Sequence, residues 1–281
     1  METNLRTLGP KEAKAVLSFR EQGRSIVRAA DVISILGSEQ TARKVIRNLL
    51  RKGWLTRLLG GRYLFLPPEH GPENLGENNA LALASAVVEP SYVGWWAAAS
   101  YHGFTTQKPT TICVATRRQL SARSIEGNEI RFVSVVERKF FGFKTYDLYG
   151  REATISQPEK TVADCVDRPD LAGGAAEVTR ILYGASSGVD PAEILNAALR
   201  MKSVALLQRL GYLTDLVGWK WPEPQRERLH AAISKSARTV FGRAQRAEGD
   251  VGYVAPWGLI VHARASELLA DVPQIKPTGS N

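Results

Sequence analysis

Three prolines and a glycine fall within seven consecutive residues, Pro67-Pro68-Glu69-His70-Gly71-Pro72-Glu73. Proline fixes its own φ and lacks the amide hydrogen that a helix interior or a strand ladder needs, so no regular element runs through this segment. A linker over 67–76 is therefore expected. It divides the 281-residue chain into an N-terminal piece, 1–66, and a C-terminal piece, 77–273, with a frayed polar tail at 274–281. Each piece is long enough for a core of its own. Charge divides at the same place. Residues 1–66 hold 13 Lys/Arg against 5 Asp/Glu, a net of +8, whereas residues 67–281 hold 24 against 23. A polyanion-binding surface on this chain is thus expected to be N-terminal.

Within 1–66 the apolar spacing predicts three helices. Ala13, Val16 and Leu17 mark the first, over about Pro10 to Glu21, with Pro10 suited to its first turn and Gly23 ending it. Ala29, Val32, Ile33 and Leu36 mark a short second helix that ends at Gly37. After Ser38 as N-cap, Ala42, Val45, Ile46, Leu49 and Leu50 form the stripe of a third. The face opposite that stripe carries Gln40, Arg43, Lys44, Arg47, Asn48 and Arg51, and its sole acid is Glu39 in the first turn, where the helix dipole favours it. Such side chains neutralise phosphates and pair with base edges, Arg with guanine and Gln or Asn with adenine. Two β-rich runs, 54–59 and 62–66, then flank Gly60-Gly61, the signature of a tight hairpin. Three short helices and a hairpin describe a winged helix-turn-helix with a basic recognition helix and a basic wing tip. The expected DNA contacts are Gln40, Thr41, Arg43, Lys44, Arg47, Lys52, Arg57 and Arg62.

The C-terminal piece reads as mixed α/β, strands first and helices after. Helices are expected over 77–88 and 95–102, strands over 110–116, 129–136, 145–149 and 152–155, and a capping box at Ser156-Gln157-Pro158-Glu159 opens a helix that stops at Arg168-Pro169. Further helices are expected over 174–183, 191–200, 203–217 and 223–240, and a strand over 253–263. Chemistry is sparse. His70, His102, His230 and His262 are scattered without metal-ligand spacing, and no phosphate loop, nucleophile elbow or dinucleotide fingerprint occurs, so no metal, cofactor or catalytic residue is expected. Asp164 and Asp167 read as surface charges near the end of their helix, and His102 as a residue stabilised by a helix C-terminus. A basic stretch, Arg226, Arg228, Lys235, Arg238, Arg243 and Arg246 against Glu227 and Glu248, is a candidate patch for an acidic partner or an extension of a DNA footprint. Cys113 and Cys165 are too few for a disulfide framework, the N-terminus lacks an apolar signal region, and the charge-free run 90–107 is too polar to span a membrane. A cytoplasmic protein is expected.

Four stretches in this order, TARKVIRNLLRKGWLTRLLGGRYLFLP (41–67), YVGWWAAASYHGFTTQKPTTICVAT (92–116), ISQPEKTVADCVDRPDLAGG (155–174) and LLQRLGYLTDLVG (206–218), give the chain a resemblance to the AbiEi family of antitoxins from bacterial toxin–antitoxin operons. The second stretch departs from the family pattern at Gly94-Trp95-Trp96, where a polar residue before a single aromatic is usual. The resemblance implies an N-terminal domain that binds inverted repeats in the promoter of its own operon and represses it. It also implies a C-terminal domain that counteracts a nucleotidyltransferase-fold toxin encoded next door. No heptad or long apolar helix in the sequence forces a dimer, so a monomer that pairs on DNA is expected. Two other readings remain at this point. One is a stand-alone regulator whose C-terminal domain senses a ligand through Trp95, Trp96 and Tyr101. The other is a nuclease or nucleotidyltransferase, for which Asp164 and Asp167 lack a third carboxylate to hold Mg²⁺.

Overall fold

The computed structural model describes residues 7–24, 26–66, 80–125, 127–148, 152–234 and 236–272. The expected linker and tail, and Lys235 of the basic stretch, lie outside the described residues. The chain forms two compact units. The first comprises Met1–Ser91 with Tyr146–Thr154, and the second comprises Tyr92–Thr145 with Ile155–Asn281.

The first unit runs α1 (Pro10–Glu21), β1 (Ile26–Arg28), α2 (Ala29–Leu36), α3 (Glu39–Arg51), β2 (Leu55–Arg57), β3 (Arg62–Phe65) and α4 (Ala80–Ala86). The three helices and the hairpin lie where the apolar spacing places them. Gly60 and Gly61 both adopt positive φ, +67° and +71°, and with Leu58 donating to the Arg62 carbonyl at 2.9 Å the hairpin closes through a three-residue loop, Leu59 to Gly61. The strand β1 was not anticipated: three residues between two helices carry no readable alternation. It pairs antiparallel with β3, Val27 opposite Tyr63, and completes a sheet of order β1-β3-β2. The core joins both layers, with Ala15, Phe19, Val32, Ala42 and Leu49 from the helices against Val27, Leu55 and Phe65 from the strands. Phe19 meets Phe65 edge to face, 5.6 Å between centroids.

Charged groups pin the helix starts. The Gly9 amide donates to Glu12 Oε2 at 2.8 Å and the Arg28 amide to Asp31 Oδ2 at 2.7 Å, each acid sitting three residues into its helix. Lys52 Nζ also donates to Glu12 Oε2 at 2.5 Å, which ties the end of α3 to the start of α1. Burial alone would raise the Glu12 carboxyl, but the Lys52, Gly9 and Asn48 donors outweigh it and hold the group below its ordinary value. A depressed carboxyl stabilises the fold above its unfolded pKa and loses that contribution as pH falls through the folded value. Urea unfolding of the intact protein from neutral pH to about pH 3 should therefore show stability falling with acid, and Glu12→Gln should flatten the lower part of that curve. A variant curve parallel to wild type would remove Glu12 from the account.

The second unit is mixed α/β. A six-stranded sheet takes β4 (Ser91–Val93), β5 (Thr111–Thr116), β6 (Arg123–Ile125), β7 (Asn128–Ser134), β8 (Phe143–Asp147) and β9 (Glu152–Ser156) in the order β6-β7-β5-β4-β9-β8. β5 runs parallel to β7, and β6 runs antiparallel to it. The helices are α5 (Trp95–Tyr101), α6 (Pro158–Asp167), α7 (Gly174–Ala185), α8 (Pro191–Met201), α9 (Val204–Leu216), α10 (Glu223–Ala231) and α11 (Ala265–Leu268). A second sheet has β10 (Thr239–Gly242) parallel to the central β12 (Leu259–His262), with β11 (Gly252–Val254) antiparallel on the other side. α6 packs against α5, α7, α8 and α9, and every residue from Lys160 to Asp167 is buried. No described helix is long and apolar enough to cross a membrane.

Three expectations are corrected here. The helix expected over 223–240 ends at Ala231, and residues 239–242 form a strand. The strand expected over 253–263 is broken by a single 3-10 turn, Ala255–Trp257, because Pro256 cannot continue a ladder. The cap of α6 is Gln157, not Ser156, whose hydroxyl instead meets Thr161 Oγ1 at 2.6 Å.

Candidate functional site

α3 presents the sharpest surface of the first unit. Its apolar stripe, Ala42, Val45, Ile46 and Leu49, is buried, and Ser38 Oγ accepts from the Thr41 amide at its start. That orientation leaves Gln40, Arg43, Lys44, Arg47 and Arg51 exposed on one side, with Thr41 and Asn48 half-buried beside them. Arg43 reaches Glu39 at 2.5 Å, but the two side chains are 74% and 61% exposed. An exposed i,i+4 pair is worth only about 0.3–0.5 kcal/mol, so a phosphate or base can draw Arg43 away at little cost. Arg57 is exposed at the end of β2.

Two of the expected contacts are engaged elsewhere. Lys52 is half-buried on Glu12, as described above. Arg62 does not project from the hairpin: its side chain is 7% exposed, and Nη1 lies 2.6 Å from Glu89 Oε1. Glu89 also takes Arg28 Nη2 at 3.4 Å. β3 carries Arg62 inward because it follows the turn on the face that buries Leu64.

The second unit holds a buried ionic cluster that the sequence reading placed on the surface. Asp164 is 3% exposed and Asp167 is 9% exposed. Lys160, one turn before Asp164 on α6 and 1% exposed, donates to Asp164 Oδ1 and, at 3.1 Å, to Tyr92 Oη. Tyr92 in turn donates to Asp164 Oδ2 at 3.3 Å. Burial pushes the Asp164 carboxyl above its ordinary value, against the pull of Lys160. Burial and the neighbouring Asp164 push the Tyr92 hydroxyl well up. Asp167 accepts from Lys139 at 2.5 Å. The turn Phe140-Phe141-Gly142-Phe143 closes over this cluster: Tyr92 stacks on Phe143 at 4.9 Å, and Lys160 Nζ lies 5.1 Å from the Phe141 ring. Gly142 has φ +66°, and a Cβ there would stand 3.0 Å from Lys160 Cβ. At the other end of α6, Arg209 donates to the carbonyls of Val166 and Asp167 at 3.2 and 2.9 Å, a cation at a helix C-terminus. The signal that could have revealed the cluster was the i, i+4 spacing of the oppositely charged Lys160 and Asp164 on one side of the helix.

The remaining candidates occupy structural positions. His102 Nε2 lies 2.7 Å from the Ser156 carbonyl, and burial lowers its pKa. Trp95 is buried in the core, and Trp96 Nε1 donates to Glu177 Oε1 at 3.0 Å. Cys113 and Cys165 are free and buried, and burial raises both thiols. Among the described residues no group of three His, Cys, Asp or Glu side chains is placed to hold a metal ion. The basic stretch is spread over several elements. Arg226 forks onto Asp215 at 2.5 and 3.3 Å, Arg228 reaches Asn196 at 3.4 Å, and Arg243 pairs with Asp250 and Glu267. Arg238 and Arg246 are exposed.

Residues 92–216, from the strand β4 through α9, match the family model described as the AbiEi antitoxin C-terminal domain. The fold of the chain is similar to that in the crystal structure of the RV2827C protein from Mycobacterium tuberculosis. The two share a TM-score of 0.62 and 17% identity over 94% of this chain and 95% of that one. At that identity the likeness is one of fold. Comparison with curated proteins returned no match.

Proposed function

We propose that this protein is a cytoplasmic antitoxin that also represses its own operon. In this reading residues 1–66 are a winged helix-turn-helix, α3 its recognition helix and β2–β3 its wing, joined through 67–76 to the antitoxin domain, 77–273. The observation that carries the DNA-binding half is the one-sided exposed face of Gln40, Arg43, Lys44 and Arg47 on a helix whose opposite face is buried. A helix so presented suits the major groove. The family match supports the antitoxin half. The partner is a toxin of the nucleotidyltransferase fold, and the antitoxin acts on it by binding or by regulation rather than by its own catalysis. One winged helix reads too few base pairs to select a site among a genome of competitors, so cooperative pairing of monomers on inverted repeats follows.

Two measurements test this. The triple variant Arg43→Ala/Lys44→Ala/Arg47→Ala should derepress a promoter reporter while still rescuing growth against the co-encoded toxin. Loss of both functions together would end the division of labour. Light scattering without DNA should give a monomer, and a dimer independent of concentration would contradict pairing on the operator.

A further inference from the structure

Beside α3 the first unit has a groove of about 690 Å³. The start of α1, from Gly9 to Glu12, forms one wall, and Gln40, Lys44 and Asn48, at four-residue spacing along α3, line the other. A helix turns once in about 3.6 residues, so this row drifts toward α1, while Arg43 and Arg47 stand on the flank away from it. Gln40 and Lys44 therefore belong both to the groove and to the exposed face of α3. The Lys52–Glu12 contact ties the two walls together.

The groove is cationic. Lys11 on α1 and Lys44 on α3 are both exposed, and among the described residues neither has a carboxylate partner. The lining holds one acid among the described residues, Glu12, which is 5% exposed and already accepts from Lys52 and the Gly9 amide. Two lysines are thus left to face an anion. An α-helix is about 10–12 Å across and the major groove about 12 Å wide, so a helix seated there has a phosphate strand close on either side. With α3 in the major groove, the strand on its Lys44 side meets the start of α1. An acidic peptide would satisfy the same two lysines, but the continuity of the groove with the Gln40 and Lys44 face favours the nucleic acid.

We propose that the groove between α1 and α3 seats a sugar–phosphate strand of duplex DNA, and that Lys11 is a DNA contact which holds that strand together with Lys44. The inference rests on the DNA-binding reading above and adds to it a contact from outside the recognition helix and the wing. Lys11 reads no base. It neutralises a phosphate, so it supplies affinity on every sequence and fixes how α3 lies in the groove of the duplex.

The test compares full-length wild type, Lys11→Gln and Lys11→Arg in gel shifts on the operon's own promoter and on an unrelated duplex across a salt series. The side chain is exposed, so all three proteins should share one circular dichroism spectrum and melting temperature. Lys11→Gln should bind both duplexes about three- to tenfold more weakly and lower the slope of log affinity against log salt by about 1, whereas Lys11→Arg should keep the wild-type slope. Ethylation interference on the promoter should lose its effect at one phosphate in Lys11→Gln. A Lys11→Gln slope equal to wild type overturns the inference and leaves α3 in place, because the Arg43 and Arg47 substitutions test that helix separately. A wild-type chain that binds neither duplex removes the DNA-binding reading and the inference with it. A Lys11→Gln protein that keeps wild-type DNA binding but fails to rescue growth against the co-encoded toxin assigns the groove to a protein partner and replaces the inference.

Discussion

Lys160→Met with Asp164 retained is expected to lower the unfolding free energy by about 3–5 kcal/mol. The variant leaves a carboxylate 3% exposed with Tyr92 as its remaining donor, inside a helix walled by four others. Asp164→Leu with Lys160 retained should cost a similar amount, because it strands an ammonium that is 1% exposed. The double variant Lys160→Met/Asp164→Leu should recover most of the loss, since replacing a whole buried pair by apolar groups of similar volume removes two desolvation penalties together with one attraction. Urea unfolding of the four proteins gives the cycle. Single variants that each lose under about 1 kcal/mol would show that the pair is hydrated and not a dry ionic cluster.

The double variant Arg43→Ala/Arg47→Ala is expected to weaken operator binding by about 1–3 kcal/mol for each base contact removed, and to relax sequence preference at those positions. Lys44→Ala and Arg57→Ala should instead weaken binding to all duplexes alike and lower the salt slope by about 1 for each phosphate contact. Lys52→Ala and Arg62→Ala separate the structural cations from the contacting ones. Both side chains are spoken for within the unit, by Glu12 and Glu89, so their removal should register in unfolding experiments before it registers in the salt dependence. Gel shifts across a salt series distinguish the outcomes, and wild-type affinity in the Arg43/Arg47 variant would remove α3 from the interface.

The first three helices and the hairpin were legible because each carries its own local code: an apolar stripe at helical spacing, a cap, and a Gly-Gly turn whose positive φ values few other residues tolerate. β1 was not legible, since a three-residue strand exists only through its partner β3. The second unit hid its site in the same way. Asp164 and Asp167 look like solvated charges when read along the chain, because three-residue spacing of acids is common on exposed helices. What buries them is tertiary: α5, α7, α8 and α9 surround α6, and Lys139 arrives from another element. Arg62 misled for a related reason. A basic residue beside a hairpin turn reads as a wing tip, yet the alternation of β3 turns it inward.

That inward turn bears on where the chain can be divided without damage. Glu89, the acid that neutralises Arg62, follows the Pro-rich segment instead of preceding it, and the first compact unit accordingly extends to Ser91. A fragment that stops at Leu66 keeps every side chain of the exposed α3 face and discards the counterion of a cation buried in β3. Such a fragment would be destabilised by an unneutralised arginine, and any loss that followed would be mistaken for a contribution of the missing domain. A fragment carried through Ser91 retains the pair, and with it a fair reading of what the small domain does alone.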